Sequence, residues 1–235
     1  MEHDIDHYLK KHYIHRSNWL RASVLGANDG ILSTASIAIG VAAASSTRDP
    51  IILATLAGLV AGALSMAAGE YVSVSSQTDV EKADIERERQ ELEEMPELEL
   101  QILAQIYEER GLKKETAFQV AKELTEHNAL EAHVRDELGI NEMTQAKPLQ
   151  AALASGASFT MGGALPLLVS IFLPLDAMEY YQYAFALLAL VFLGAFAART
   201  GGSSVGKAVL RITFWGTIAM GLSALVGYWF GIQVS

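Results

Sequence analysis

The chain of 235 residues contains no cysteine, and this absence excludes two kinds of site. Disulfide bonds cannot hold the fold together, and a thiolate cannot bind a metal ion. The opening stretch MEHDIDHYLKKHYIHRSNW also lacks the early apolar run of a secretory leader. We therefore expect no cleavable signal peptide.

Positive charge is also scarce, because the formal net charge is −10 at neutral pH. Proteins that bind nucleic acids need a basic surface, so we expect no nucleic acid among the partners. The excess of negative charge is local: residues 76–147 hold 19 Asp and Glu against 9 Lys and Arg, whereas the remainder holds 8 of each. An acidic module therefore interrupts an otherwise neutral chain.

The acidic module lacks the Glu-x-x-His pairs with which ferritin-like proteins bind two iron ions. Leu124 and Leu130 stand where His127 and His133 would need the glutamate. Oxidation of iron at such a centre is therefore disfavoured. We also expect no catalytic residues and predict that the protein is not an enzyme.

Long apolar runs, in contrast, are abundant, since hydrophobic residues make up 51% of the chain. Each run has roughly 20–26 residues, enough to cross about 30 Å of hydrocarbon as a helix. We predict an all-α integral membrane protein with five transmembrane helices and an inserted cytoplasmic helical domain. The predicted spans are Trp19–Ala44, Ile51–Ser75, Leu149–Leu173, Met178–Ala198 and Ala208–Ile232.

The predicted domains follow the charge distribution. They are a cytoplasmic N-terminal segment 1–18, transmembrane helices 1 and 2 in 19–75, an acidic cytoplasmic metal-binding domain in 76–147, and transmembrane helices 3–5 in 148–235. Lys and Arg precede the first span and follow the fourth, whereas the opposite loops hold only Arg48. Because cytoplasmic loops are enriched in these residues, we expect the N-terminus in the cytoplasm and the C-terminus on the opposite side.

Residues 78–95 of the acidic module are rich in helix formers, and their helix can continue the second span. Pro96 ends that helix and can begin the next one, Glu97–Glu109, which Gly111 ends. Residues 114–139 are typical of one or two further helices.

Asp29 stands inside the first apolar run, where a carboxylate costs about 2.5–3.5 kcal/mol at the bilayer centre. Ser33, Ser36 and Gly40 continue its helix face as a polar stripe of small residues. An acid inside the membrane favours an ion path or a proton relay, and the alternative is a structural pairing within the helix bundle.

The second span carries a similar stripe that includes Gly58, Gly62 and Met66, with Glu70 one turn later. Two such stripes facing one another would form a narrow path. A thioether beside a carboxylate favours a transition metal over Mg²⁺. Taken alone, Met66 is more often core packing, and Glu70 is equally well explained as a solvated structural residue.

Several side chains of the acidic module share helix faces in pairs that suit metal binding. Asp84, Glu88 and Glu91 follow at i, i+4 and i+7, and His133 and Glu137 have the i, i+4 spacing of two ligands of one metal ion. A single glutamate of this kind is ordinarily a solvated helix residue, but the whole set repels itself unless cations bind. The candidate ligands in this module are Glu88, Glu91, Glu99, His133 and Glu137.

Six motifs follow one another along the chain: LGANDGILSTASIAIG, AGALSMAAGEYVSVSSQ, ERERQELEEMPELEL, IYEERGL, RDELGI and GGALPLL. In this order they resemble the vacuolar iron transporter family, the iron/manganese exporters, and the chain is similar to a bacterial-type member. The resemblance covers nearly the whole chain after about residue 17. It implies a dimeric fold of five membrane helices, a cytoplasmic metal-binding domain, and exchange of Fe²⁺ or Mn²⁺ for protons.

The resemblance also assigns roles to single residues. It places the membrane-centre aspartate of the family on Asp29 and a second-helix methionine on Met66. Plant-type members have another glutamate where this chain has Ile102, so the number of bound metals is open. They have a methionine pair in place of His133 and Val134, and His133 as a ligand is our own inference. The family's cytoplasmic glutamates fall on Glu88, Glu91, Glu99 and Glu137.

We therefore predict a proton-coupled exporter of divalent Fe or Mn, which captures metal in its acidic domain and releases it when Asp29 is protonated. We expect no cofactor beyond the transported ion, and a homodimer in a bacterial-type inner or cell membrane. One alternative is a membrane-anchored protein that buffers or stores metal without transport. Another is a transporter of a different solute, whose acidic module docks a partner protein.

Overall fold

The computed structural model describes residues 17–140 and 147–234. Within these residues the fold is all helical, so the predicted fold class is confirmed. A 3₁₀ turn at Leu175–Ala177 lies between the fifth and sixth helices. The helices are α1 (Ser17–Ala44), α2 (Arg48–Glu94), α3 (Pro96–Glu109), α4 (Lys114–Asp136), α5 (Pro148–Phe172), α6 (Met178–Thr200) and α7 (Val205–Val234).

Five of the described helices are long and apolar enough to cross a membrane, as predicted. Many large apolar side chains on them are exposed, including Leu53, Met161 and Phe192, as expected for a surface that faces lipid. The protein is therefore a multi-pass membrane protein. The spanning stretches lie within Arg21–Ala44, Arg48–Glu94, Pro148–Phe172, Leu175–Thr200 and Val205–Gly231.

The described residues divide into two compact units. Residues 17–71 and 149–234 form the membrane unit, and residues 72–140 with 147–148 form the acidic unit. Helix α2 contributes to both, because it continues without interruption to Glu94. The predicted continuation of the second span into the acidic module is thus confirmed.

Helices α1 and α5 of the membrane unit approach each other closely at glycines. A Cβ atom on Gly26 or Gly30 would collide with the backbone of Ser155 or Phe159. A Cβ atom on Gly162 would likewise collide with the backbone of α1. Small residues at such positions allow membrane helices to pack backbone against backbone.

The opposite side of α1 packs against α6 and α7 through apolar side chains. Buried Ile31 and Ile39 of α1 belong to one core cluster with Leu190 of α6 and Met220 of α7. Because α1 is enclosed by helices on two sides, Asp29 is placed on a helix that the bundle holds firmly.

Arg48, at the start of α2, caps the C-terminal end of α5. Its guanidinium donates hydrogen bonds to the carbonyl oxygens of Leu173 at 2.6 Å, of Ser170 at 3.3 Å, and of Ile171. These carbonyls have no partner within the helix, and a positive side chain stabilises the negative end of the helix dipole.

The acidic unit has its own core, in which Leu103 and Ala104 of α3 pack against Ala121 and Ala132 of α4. Pro96 occupies the first turn of α3, as predicted. Gly111, in the turn between α3 and α4, has a φ angle of 101°, which side chains with a Cβ atom rarely adopt. Glycine is therefore required for this turn.

Helix α4 is broken at Asn128, whose backbone is extended, with φ −165° and ψ 94°. The side-chain oxygen of Asn128 accepts a hydrogen bond from the backbone N–H of Glu131 at 3.2 Å. Asn128 therefore acts as the N-cap of a second short helix. Of the two arrangements that the sequence allowed for this region, the structure has two helical pieces.

Candidate metal site

Four predicted ligands converge in the acidic unit, and each comes from a different part of it. Glu88 lies on α2, Glu99 on α3, His133 on the second piece of α4, and Glu137 at its C-terminal end. One ligand atom from each of the four lies within 4.8 Å of all the others. The Nδ1 atom of His133 is 2.9 Å from Glu88 Oε1, 2.9 Å from Glu137 Oε2 and 3.8 Å from Glu99 Oε2.

Three of these side chains are buried, and Glu137 is the exposed member of the group. The imidazole of His133 is 0% exposed, and Glu88 and Glu99 are each 3% exposed. Among the four candidate ligands, Glu137 is therefore the one that is open to solvent.

The cluster has more acceptor oxygens than protons to satisfy them. Nδ1 of His133 makes a hydrogen bond with Glu137, and Oε1 of Glu88 has no hydrogen-bond partner although it lies 2.9 Å from the same nitrogen. A buried carboxylate oxygen without a partner is costly unless positive charge neutralises it. One Nδ1 proton of His133 cannot serve both Glu88 and Glu137, so this group of carboxylate oxygens favours a bound cation.

Burial raises the pKa of both Glu88 and Glu99 above the usual value of a glutamate. For Glu88, desolvation is the largest cause, followed by repulsion from Glu137, and His133 partly opposes them. A carboxylate whose pKa is raised in the folded state destabilises the fold once it ionises, so stability is lost as the pH rises through that pKa. A divalent cation bound between the carboxylates would remove this penalty.

Glu91 is not part of the group. Its carboxylate lies 3.8 Å from the guanidinium of Arg87, one turn earlier on α2. Ile102 is one turn after Glu99 on α3 and supplies no ligand atom. Among residues 17–140 and 147–234, the structure thus gathers one set of four ligands, made of three carboxylates and one imidazole.

In the membrane unit, Asp29 is half-buried, and its Oδ1 accepts a hydrogen bond from the hydroxyl of Ser33 at 2.6 Å. Further along the same stripe, Ser36 and Gly40 line a cavity of about 570 Å³ between α1 and α7. Ser36 and Gly40 thus border this cavity two and three turns after Asp29, which is not among the residues that line it.

The stripe predicted on α2 is partly used for packing. A Cβ atom on Gly58 would collide with the side chain of Ile37, and one on Gly62 would collide with the ring of Phe159. Met66 and Glu70 are half-buried. The described contacts do not join Asp29, Met66 and Glu70 into one group.

Sequence reasoning missed three residues that adjoin the metal cluster, namely Tyr107, Arg110 and Asp136. Tyr107 and Arg110 follow Glu99 on the same face of α3, two and three turns later, which was a usable signal. Asn128 and Glu131 have the spacing of a capping box, which predicts a helix start. That spacing could have located the break in α4.

Comparisons with known proteins show similarity along most of the chain. A sequence profile described as the VIT family matches residues 20–228. The chain is 43% identical over 230 residues to a "Vacuolar iron transporter" from Acanthamoeba castellanii, covering 95% of this chain and 83% of that relative. It is 36% identical over 222 residues to "Vacuolar iron transporter homolog 1" from Oryza sativa subsp. japonica, covering 94% and 78%. For "Vacuolar iron transporter homolog 2.1" from Arabidopsis thaliana, identity is 34% over 212 residues, covering 90% and 81%.

Proposed function

Because this chain belongs to the vacuolar iron transporter (VIT) family, we propose that it exports divalent iron or manganese from the cytosol in exchange for protons. The acidic unit captures the metal ion, and the membrane unit carries it across. The observation that best supports the capture step is the convergence of Glu88, Glu99, His133 and Glu137 around shared space.

The ligand set of the acidic unit suits one transition-metal ion. Carboxylate oxygens accept Mn²⁺ and Fe²⁺ as well as Mg²⁺, and an imidazole nitrogen shifts the preference toward transition metals. Glu91 is paired with Arg87, and Ile102 is apolar, so the part of the chain that the structure describes offers no second set of ligands beside the first. The proposed stoichiometry is therefore one ion per acidic unit.

Asp29 carries the transport step in this proposal. Its half-buried carboxylate binds the ion without its water shell, and protonation from the far side releases the ion. Met66 contributes selectivity as a thioether, and Glu70 guides ions toward the path on the cytoplasmic side. The role of Asp29 is supported by its place on the same face of α1 as Ser36 and Gly40, which border an open cavity. The roles of Met66 and Glu70 rest on the sequence pattern of α2.

The proposed orientation has the N-terminus and the acidic unit in the cytoplasm and the C-terminus on the opposite side. The proposed assembly is a homodimer, which is supported by exposed small residues on one face of α2, Ala61, Ser65 and Ala68. The bacterial-type cell membrane as the location stays a prediction.

The test of the transport mechanism is metal uptake into proteoliposomes. Proteoliposomes that contain the wild-type protein should accumulate Fe²⁺ and Mn²⁺, but not Mg²⁺, when their interior is acidic. Asp29→Asn keeps the size of the side chain but removes its charge, so we expect uptake to fall at least about tenfold. Asp176→Asn, an exposed residue in the 3₁₀ turn, is the matched control and should transport normally.

Two results would count against this mechanism. Wild-type rates in Asp29→Asn would remove the carboxylate from the transport step. Metal binding by the wild type without uptake under any gradient would favour the second candidate, a membrane-anchored metal buffer, which the same four-ligand cluster supports.

A further inference from the structure

Asp136, which precedes the candidate ligand Glu137, connects the end of α4 to α3. The hydroxyl of Tyr107 donates to Asp136 Oδ2 at 2.8 Å, and Nη1 of Arg110 donates to Oδ1 at 2.7 Å. Nη2 of Arg110 donates to the backbone carbonyl of Asp136 at 3.0 Å. We call Tyr107, Arg110 and Asp136 the clamp.

The clamp is compact and its partners are satisfied. The Asp136 side chain is only 9% exposed, and the neighbouring Arg135 also donates to its Oδ2 at 2.8 Å. The guanidinium of Arg110 lies over the ring of Tyr107, 5.1 Å from its centroid. A carboxylate that accepts this many hydrogen bonds is committed to the clamp and is not available to bind a metal ion.

The opposite end of the same segment is also fixed. Asn128 accepts a hydrogen bond from the backbone N–H of Glu131, and its side-chain amide donates to Glu131 Oε2 at 3.0 Å. Residues 129–137, which we call the ligand arm, are therefore held by a cap at one end and by the clamp at the other. The arm carries His133 and Glu137, two of the four candidate ligands.

The geometry of the arm depends on both restraints. An unbroken α4 would carry Asp136 about 33 Å from Lys114, where the helix leaves the turn after α3, at 1.5 Å per residue. Instead, Asp136 contacts Tyr107 and Arg110 at the end of α3 that adjoins this turn. The chain therefore reverses after Asn128, and the clamp fixes where the returning arm lies against α3, the helix that carries Glu99.

We propose that Tyr107, Arg110 and Asp136 are positioning residues, which set the metal affinity of the acidic unit by holding the ligand arm against α3. This inference rests on the proposed capture of metal by the four-residue cluster. An arm without the clamp would lose conformational freedom when metal binds, and this loss would weaken binding. Groups that orient ligands without touching the metal typically change metal affinity by 10–100-fold.

The test measures Mn²⁺ binding to the purified full-length protein by titration calorimetry, together with its thermal unfolding. Tyr107→Phe removes one hydroxyl and keeps the ring in the core, and Asp136→Asn removes the charge of the clamp. Both variants should bind Mn²⁺ about tenfold more weakly, with an unchanged stoichiometry. Asp79→Asn, an exposed residue of the same unit, removes the same charge and should bind with wild-type affinity.

The possible failures are distinguishable. A lower unfolding temperature with wild-type affinity in Tyr107→Phe would make the clamp purely structural and overturn the proposal. Equal weakening in Asp79→Asn would attribute the effect to net charge and also overturn it. If the wild type does not bind Mn²⁺, or if Glu88→Gln binds it equally well, the metal site itself is wrong and this inference fails with it.

Discussion

At the scale of single residues, the carboxylates of the candidate metal site repel one another when no metal ion is bound. Glu88 is enclosed with two other carboxylates, and its Oε1 atom lacks a hydrogen-bond partner. The pKa of Glu88 is raised mainly by desolvation. The same features that favour a cation therefore make this cluster a weak point in the fold whenever no cation is bound.

Glu88→Gln should test whether the charge that favours metal binding lowers the stability of the metal-free protein. At neutral pH the change should raise the free energy of unfolding of the metal-free acidic unit by about 1 kcal/mol, because it removes a buried charge. The gain should vanish below pH 4.5, the unperturbed value, where Glu88 is protonated in both states. Denaturant titration at both pH values measures the effect, and Glu93→Gln, an exposed residue of the same helix, is the control.

A lower stability of metal-free Glu88→Gln at neutral pH would contradict this account. It would mean that the ionised carboxylate already has adequate partners in the metal-free protein.

At the scale of helices, the membrane unit depends on places where only glycine fits. A Cβ atom on Gly30 would overlap the backbone of Phe159, and backbone atoms cannot rotate out of the way as a side chain can. The spacing of α1 and α5, and with it the position of Asp29, is therefore set by the absence of a single methyl group.

Gly30→Ala should destabilise the membrane unit by about 1–3 kcal/mol, because α1 and α5 must separate. Transport should fall together with the stability, since Asp29 is the residue next to Gly30 on α1. Gly221→Ala is the matched control: its Cβ atom meets nothing within 4 Å, so it should be neutral or slightly stabilising. Thermal unfolding in detergent and uptake assays measure both effects, and equal behaviour of the two variants would refute the packing argument.

The sequence predicted most of the helices because their signals are local. Apolar runs predicted the spans, and Pro96 and Gly111 predicted the limits of α3. The separation of Glu91 from the ligand cluster was not predictable, since it depends on how α3 and α4 pack beside α2. The clamp was missed for the same reason: Tyr107 and Asp136 are 29 residues apart, and only the reversal at Asn128 brings them together.

At the scale of the whole molecule, negative charge is concentrated in the acidic unit, where it favours the binding of cations. Metal binding to the folded state alone must raise its stability. The gain is about 2.7 kcal/mol when the free metal is at 100 times the dissociation constant. The magnitude of this gain in stability therefore reports the affinity of the protein for the metal.

Mn²⁺ should accordingly raise the unfolding temperature of the acidic unit at neutral pH, and a chelator should reverse the shift. This rise in unfolding temperature should shrink toward pH 5, because protons compete with the metal for the buried carboxylates of Glu88 and Glu99, whose pKa values are raised. Thermal scans with Mn²⁺ and Mg²⁺ at both pH values test this expectation. An equal shift in Glu88→Gln would show that the metal binds elsewhere on the acidic surface.

The hydrogen bonds of Arg48 bear on how the chain would insert into a bilayer. By the positive-inside rule, Arg48 alone argues against the membrane orientation that the Lys and Arg of the other short loops favour. Its guanidinium, however, is engaged by the carbonyl oxygens of Leu173 and Ser170. These hydrogen bonds therefore explain the position of Arg48 without reference to membrane topology. Once it is set aside, the loops on that face contribute no opposing charge, and an insertion assay on Arg48→Gln should find the orientation unchanged.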